Sequence, residues 1–154
     1  MKPWPLLLAL LLVSPAWGCD LRQRAQAYFD VYAQRTDFEA LMAFYAEDAV
    51  LEDRVTGHHA QGRGAIRAFL DWSRGGFAVQ DGGPALVLER LQVTGHIALA
   101  QGQFRPFRYQ GQPLGPWRFT MRLTFDERGR IRHQSDWIAY PPSLLGPPSH
   151  GEAR

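Results

Sequence analysis

From Trp117 to Phe125 the sequence alternates without a break, with Trp117, Phe119, Met121, Leu123 and Phe125 on one side and Arg118, Thr120, Arg122 and Thr124 on the other. A period of two with one apolar and one polar face is a strand of an antiparallel sheet that is covered on one side only. Upstream, Asp81-Gly82-Gly83-Pro84 is a turn, and beyond it the same alternation yields four strands. They run from Ala85 to Val93, His96 to Arg108, Pro116 to Phe125 and Arg130 to Tyr140, with turns at Thr94-Gly95, Gln110 to Gly115 and Asp126 to Gly129.

Ahead of that turn the period is helical. Asp20 caps a helix with Leu21, Ala25, Tyr28, Phe29 and Tyr32 in one stripe, and Asp37 caps a second with Phe38, Leu41, Met42 and Tyr45 on its inner face. Ala49 to Asp53 reads as a short strand and Arg54 to Gly62 as a loop. A third helix runs from Gly64 to about Ser73, turning Ile66, Phe69, Leu70 and Trp72 inward, and Gly75-Gly76 stops it. These helices are the cover that the sheet's dry face needs. With 154 residues, 45% of them hydrophobic, the chain supports one core and no more.

The first 18 residues carry a different message. Lys2, the apolar run from Leu6 to Val13 and the small residues around Ser14 to Gly18 form a secretory signal, which predicts export to the periplasm. Cys19, the only cysteine, follows directly: it is either a lipidated residue that anchors the protein to a membrane or simply the start of the mature chain. Residues 19–140 form the domain, and residues 141–154, rich in proline and glycine, read as a flexible tail. The formal charge of +2, with Lys2 the only lysine, supplies no basic field for nucleic acid. His58 and His59 are adjacent and lack a third ligand at a recognised spacing, so no metal site is expected. Strict alternation puts His133 and Asp136 on opposite faces.

Several segments together carry a resemblance: Asp37 to Leu41, Tyr45 to Asp53, Gly62 to Phe69, Phe125 to Ile131, and Ser135-Asp136-Trp137. Their order and wording resemble the nuclear transport factor 2-like superfamily, which includes SnoaL-like polyketide cyclases, ketosteroid isomerases and limonene epoxide hydrolases. The resemblance implies an α+β, cone-shaped domain in which three helices pack on a curved antiparallel sheet, commonly dimerising through the sheet face. It also implies an apolar pocket for a small molecule and no cofactor.

Residue by residue, Asp53 falls where ketosteroid isomerases keep their proton-moving aspartate. Their oxyanion-binding tyrosine and protonated second aspartate fall at Phe29 and Met121, with Tyr32 the nearest substitute for the tyrosine. Asp136 matches a water-activating aspartate of the epoxide hydrolases, whose arginine and other aspartate fall near Gln101 and Gln103. SnoaL-like cyclases ask for one acid/base carboxylate, a part that Asp53 or Asp136 could take.

The expected catalytic residues are therefore Asp53 and Asp136. The expected ligand-binding residues are Phe29, Tyr32, Trp72, Gln101, Gln103, Phe119 and Met121. Gln101 and Gln103 either face water or meet a ligand, since buried unsatisfied amides are costly. Two functions stand open. One is a proton-transfer enzyme of isomerase, cyclase or dehydratase type. The other is a carrier or sensor of an apolar molecule, or a dimerising interaction module.

Overall fold

Strand order follows from which residues can be dry. In the computed structural model, which describes residues 17–145 with side chains from Asp20 onward, six strands form one sheet in the order β2-β1-β9-β8-β5-β4. They are β1 (Tyr45–Asp53), β2 (His59–Gln61), β4 (Leu86–Thr94), β5 (Ile97–Phe104), β8 (Trp117–Phe125) and β9 (Ile131–Ile138). A second, three-stranded sheet joins β3 (Ala78–Val79), β6 (Phe107–Tyr109) and β7 (Gln112–Leu114). Helices α1 (Trp17–Gln34), α2 (Phe38–Met42) and α3 (Arg63–Leu70) complete the fold.

The stripe on α1 is the centre of the core, with Ala25, Tyr28 and Phe29 at most 1% exposed. It lies on the face of β8 that carries Phe119, Met121 and Leu123, as the alternation requires. Asp37 caps α2 by accepting the Ala40 N–H at 2.9 Å.

Several expectations need correction. Every pairing in the large sheet is antiparallel except β1 with β9, which run parallel. Tyr45 does not extend α2 but opens β1, where it pairs with Ile131. The expected loop from Arg54 to Gly62 contains β2, because Ala60 is buried opposite Leu51. Helix α3 ends at Leu70, since the Asp71 carboxylate captures the N–H and hydroxyl of Ser73 and competes with the helical hydrogen bonds. The long strand from His96 to Arg108 is broken at Arg105-Pro106, and the expected turn from Gln110 to Gly115 holds the second strand of a hairpin. Gln110 and Gly111, both at positive φ, make its tight turn.

The segment 1–18 lies outside the described residues apart from the backbone of its last two, which with Cys19 begin α1 ahead of the expected cap at Asp20. Of the tail, Pro142–Leu144 forms a short 3-10 turn, and residues 146–154 are also outside the described part.

Candidate functional site

Parallel neighbours on one face of a sheet meet in matched pairs. Asp53, the last residue of β1, is in register with Asp136 of β9, and the two are 3% and 4% exposed. Asp53 Oδ1 accepts the backbone N–H groups of Val55 and Thr56 at 2.9 and 3.0 Å, a local turn that ends the strand. Its Oδ2 accepts the Tyr140 hydroxyl at 2.6 Å. Asp53 thus serves as an acceptor three times over, the role of an ionised carboxylate.

Asp136 is held differently. Both its oxygens lie 2.9 Å from Nε2 of Gln134, which donates to them. Burial pushes the Asp136 pKa up to about 7, the Gln134 amide pulling against that shift and the Asp53 charge reinforcing it. A carboxyl group in that range gives and takes a proton at neutral pH.

Gln134 is itself constrained from behind. Its Oε1 accepts from the hydroxyls of Tyr45 at 2.6 Å and Tyr28 at 3.1 Å, which are 2.8 Å from each other. The tyrosines need an acceptor and the carboxylate needs a donor, so the amide has one workable orientation. Burial raises both phenols above their ordinary range, which keeps them neutral. The result is a buried relay, from tyrosine through amide to carboxyl, with every polar atom of Gln134 engaged.

Around the outer end of this pair lie aromatic side chains, of which Tyr140, Trp117, Phe77 and Trp72 are half-buried and Phe107 and Tyr32 buried. Tyr140 packs edge-on to Trp117 at 5.2 Å, Trp117 on Phe107 at 5.0 Å, and Phe107 stacks on Phe77 at 4.8 Å. On the other side Trp72 stacks on Tyr32 at 6.1 Å. Burial raises the phenols of Tyr32 and Tyr140, reinforced at Tyr32 by the charge of Asp136 and at Tyr140 first by the hydrogen bond to Asp53 and its charge. The aromatic rim therefore has at one end Tyr140, which is bonded to the pair through Asp53, and at the other Tyr32.

The expected ligand residues divide. Phe29, Tyr32, Phe119 and Met121 are buried on the same side of the sheet as the aspartates, and Trp72 packs against Tyr32 and Phe38. Gln101 and Gln103 do not join them. On β5 it is Ala98, Ala100 and Gly102 that face α1, because Phe29 and Phe119 fill the space above the strand. The glutamines lie on the outer face with Ile97 and Leu99, a correction to their placement in a pocket.

Sequence reasoning missed Gln134, Tyr140 and the Tyr28–Tyr45 pair. The alternation that turns Asp136 inward turns Gln134 inward as well, so that signal was available. His133 points outward, where Nε2 lies 3.1 Å from Glu52, away from Asp136. Surface grooves lie elsewhere: one of about 900 Å³ runs beside Leu21, Arg24, Val93 and His96, and one of about 340 Å³ on the outer sheet face beside Gln101, Thr120 and Trp137.

Comparison with known proteins gives a consistent answer. None of the curated proteins matches the chain. Among solved structures, a candidate SnoaL-like polyketide cyclase from Shewanella putrefaciens CN-32 is similar at a TM-score of 0.65 and 19% identity, covering 78% of this chain and 90% of that one. A candidate ketosteroid isomerase from Kribbella flavida DSM 17836 is similar at 0.61 and 23%, covering 89% and 90%. An LEH-like epoxide hydrolase from M. tuberculosis is similar at 0.62 and 18%, covering 79% and 84%. At these identities the likeness establishes the fold, which is the nuclear transport factor 2-like one expected from sequence. A sequence model of the SnoaL-like domain matches residues 25–134, a span that includes the second half of α1, Asp53 and Gln134 and stops two residues short of Asp136. The chain belongs to the SnoaL-like domain family.

Proposed function

We propose that this protein is an exported enzyme that moves a proton within a small, largely apolar molecule, using Asp53 and Asp136. The observation that carries this reading is the buried, in-register pair of carboxylates, one fixed as an acceptor and the other titrating near neutrality. One carboxylate takes a proton from a carbon beside a carbonyl group and returns it at a second position, as an isomerase, cyclase or dehydratase requires. The Tyr32 hydroxyl, kept neutral by burial and by the charge of Asp136, supplies a donor for the carbonyl oxygen where charge develops. The ligand reaches the pair through the rim of Trp72, Trp117 and Tyr140, whose half-exposed rings suit an apolar body. The chemistry runs on the chain's own side chains.

The protein works as a homodimer through the outer sheet face, where Trp137 and Val87 are 43% and 41% exposed. Residues 1–18 direct it to the periplasm, and Cys19 there either carries a lipid or begins the mature chain.

Native and denaturing mass spectrometry of protein from an exporting bacterial host tests several points together. A co-purifying apolar molecule identifies the ligand, and the N-terminal mass reports cleavage and lipidation. That molecule, incubated with the protein in deuterated water, should gain deuterium with wild type and lose that gain with both Asp53→Asn and Asp136→Asn. Exchange unaffected by both substitutions would rule out the carboxylate pair. A ligand that stays bound without any exchange points to the carrier reading.

A further inference from the structure

Arg35 sits one residue past the end of α1 with a positive φ of 50°, a backbone region more usual for glycine or asparagine. Its guanidinium lies 4.0 Å over the ring of Phe77 and 4.9 Å over that of Trp72, inside the aromatic rim. The other half-buried arginines each donate to an oxygen: Arg24 to Gly129, Arg63 to Glu47, Arg105 to Asp81 and Arg130 to Asp126. Among the described residues Arg35 has no carboxylate or carbonyl partner, and burial pulls its pKa down only against the nearby Tyr32. Arginine stays charged through any such shift. A second donor beside it is equally unserved, since Nε1 of Trp72 is shielded from water and has no hydrogen-bond partner.

Two donor-only groups without acceptors, one of them a cation, call for an anionic acceptor. Arg35 follows the last turn of α1, about 5 Å along its axis from Tyr32, and Tyr32 packs edge-on at 6.0 Å against Tyr28, whose hydroxyl bonds to Gln134, the residue that holds Asp136. We infer that Arg35 and the Trp72 indole hold the carboxylate of the ligand, so that the molecule bound here is an aromatic or otherwise ring-containing acid whose far end reaches Asp53 and Asp136. A single half-buried guanidinium between apolar rings matches one planar negative charge and not a phosphate dianion, whose second charge would go unanswered. This deepens the proton-transfer reading and rests on it only for the location of the reacting end.

The test uses two probes of one shape, 1-naphthylacetate and its uncharged amide, titrated by calorimetry and followed at the Trp72 indole N–H by nuclear magnetic resonance. Wild type should bind the acid at least about tenfold more tightly than the amide, and only the acid should move the indole resonance strongly. Arg35→Gln should bring the two affinities within about twofold, with Arg35→Lys between, while Asp136→Asn should leave the ratio unchanged. Equal affinities in wild type, a ratio indifferent to Arg35, or no binding of either probe at millimolar concentration overturns the inference. The acid preference and the deuterium exchange fail independently: a preference without exchange sinks only the proton-transfer reading, and exchange without a preference sinks only this one.

Discussion

Asp53 and Asp136 are partners across the parallel β1–β9 pairing, both turned to the dry side of the sheet. Two carboxyl groups so placed cannot both be ionised without cost, and Asp136 bears it. Its pKa lies at about 7 in the folded protein against an ordinary value of 3.8. Between those values the folded state binds more protons than the unfolded one. The stability contributed by this group is therefore complete below the lower value and falls as pH rises through about 7, by on the order of 4 kcal/mol in all. Asp136→Asn, neutral throughout, should match wild type more closely at about pH 5 than at about pH 8, where the variant should be the more stable. Urea titrations at both pH values measure the difference directly, and a difference that does not change with pH would show that Asp136 titrates normally.

Gln134 joins two tyrosine hydroxyls to Asp136 through one amide. Gln134→Leu keeps most of the volume and strands all three groups in a water-poor interior. The expected loss is about 2–4 kcal/mol in urea unfolding, with Tyr28→Phe or Tyr45→Phe alone costing about 1 kcal/mol. A neutral Gln134→Leu would mean that the relay contributes nothing to the fold.

Tyr140 lies two residues beyond the end of β9 and donates to Asp53 at 2.6 Å. Tyr140→Phe retains the packing on Trp117 and removes only the oxygen. Stability should fall by about 1–2 kcal/mol, and the deuterium exchange proposed above should change in rate while ligand affinity holds. Loss of affinity with the exchange rate per bound ligand unchanged would make Tyr140 part of the entrance alone.

What the sequence made legible, and what it hid, divides along physical lines. Alternation on β8 and the α1 stripe are consequences of burial, so they foretold the layers, and the position of Asp53 at a strand end followed from the same pattern. The facing of Gln101 and Gln103 did not, because β5 buries its small residues and exposes its larger aliphatic ones, the reverse of what hydropathy alone suggests. Gly102 explains why: a side chain there would collide with the Val87 carbonyl and crowd Phe119. The parallel β1–β9 pairing, which brings the two aspartates together, joins strands far apart in sequence and leaves no local trace. Arg35 was equally hidden, since nothing in its neighbours states that it lacks a counter-ion.

The outer sheet face presents a row in which Trp137, Thr120 and Gln101 are successive register partners on β9, β8 and β5. Trp137 is the most exposed large aromatic side chain in the sheet and Val87 lies on the same face, whereas the polar residues between them keep the patch from being uniformly oily. A half-exposed tryptophan among threonine and glutamine is the composition of an interface centre, where one large ring carries much of the association energy. Trp137→Arg places a charge against its own symmetry mate in any two-fold contact through this face. For the homodimer proposed above, the dissociation constant measured by analytical ultracentrifugation should rise by at least about a hundredfold, with the thermal midpoint of the monomer unchanged because the side chain points away from the core. A dimer that tolerates Trp137→Arg together with Val87→Glu would show that the copies associate, if at all, through another surface.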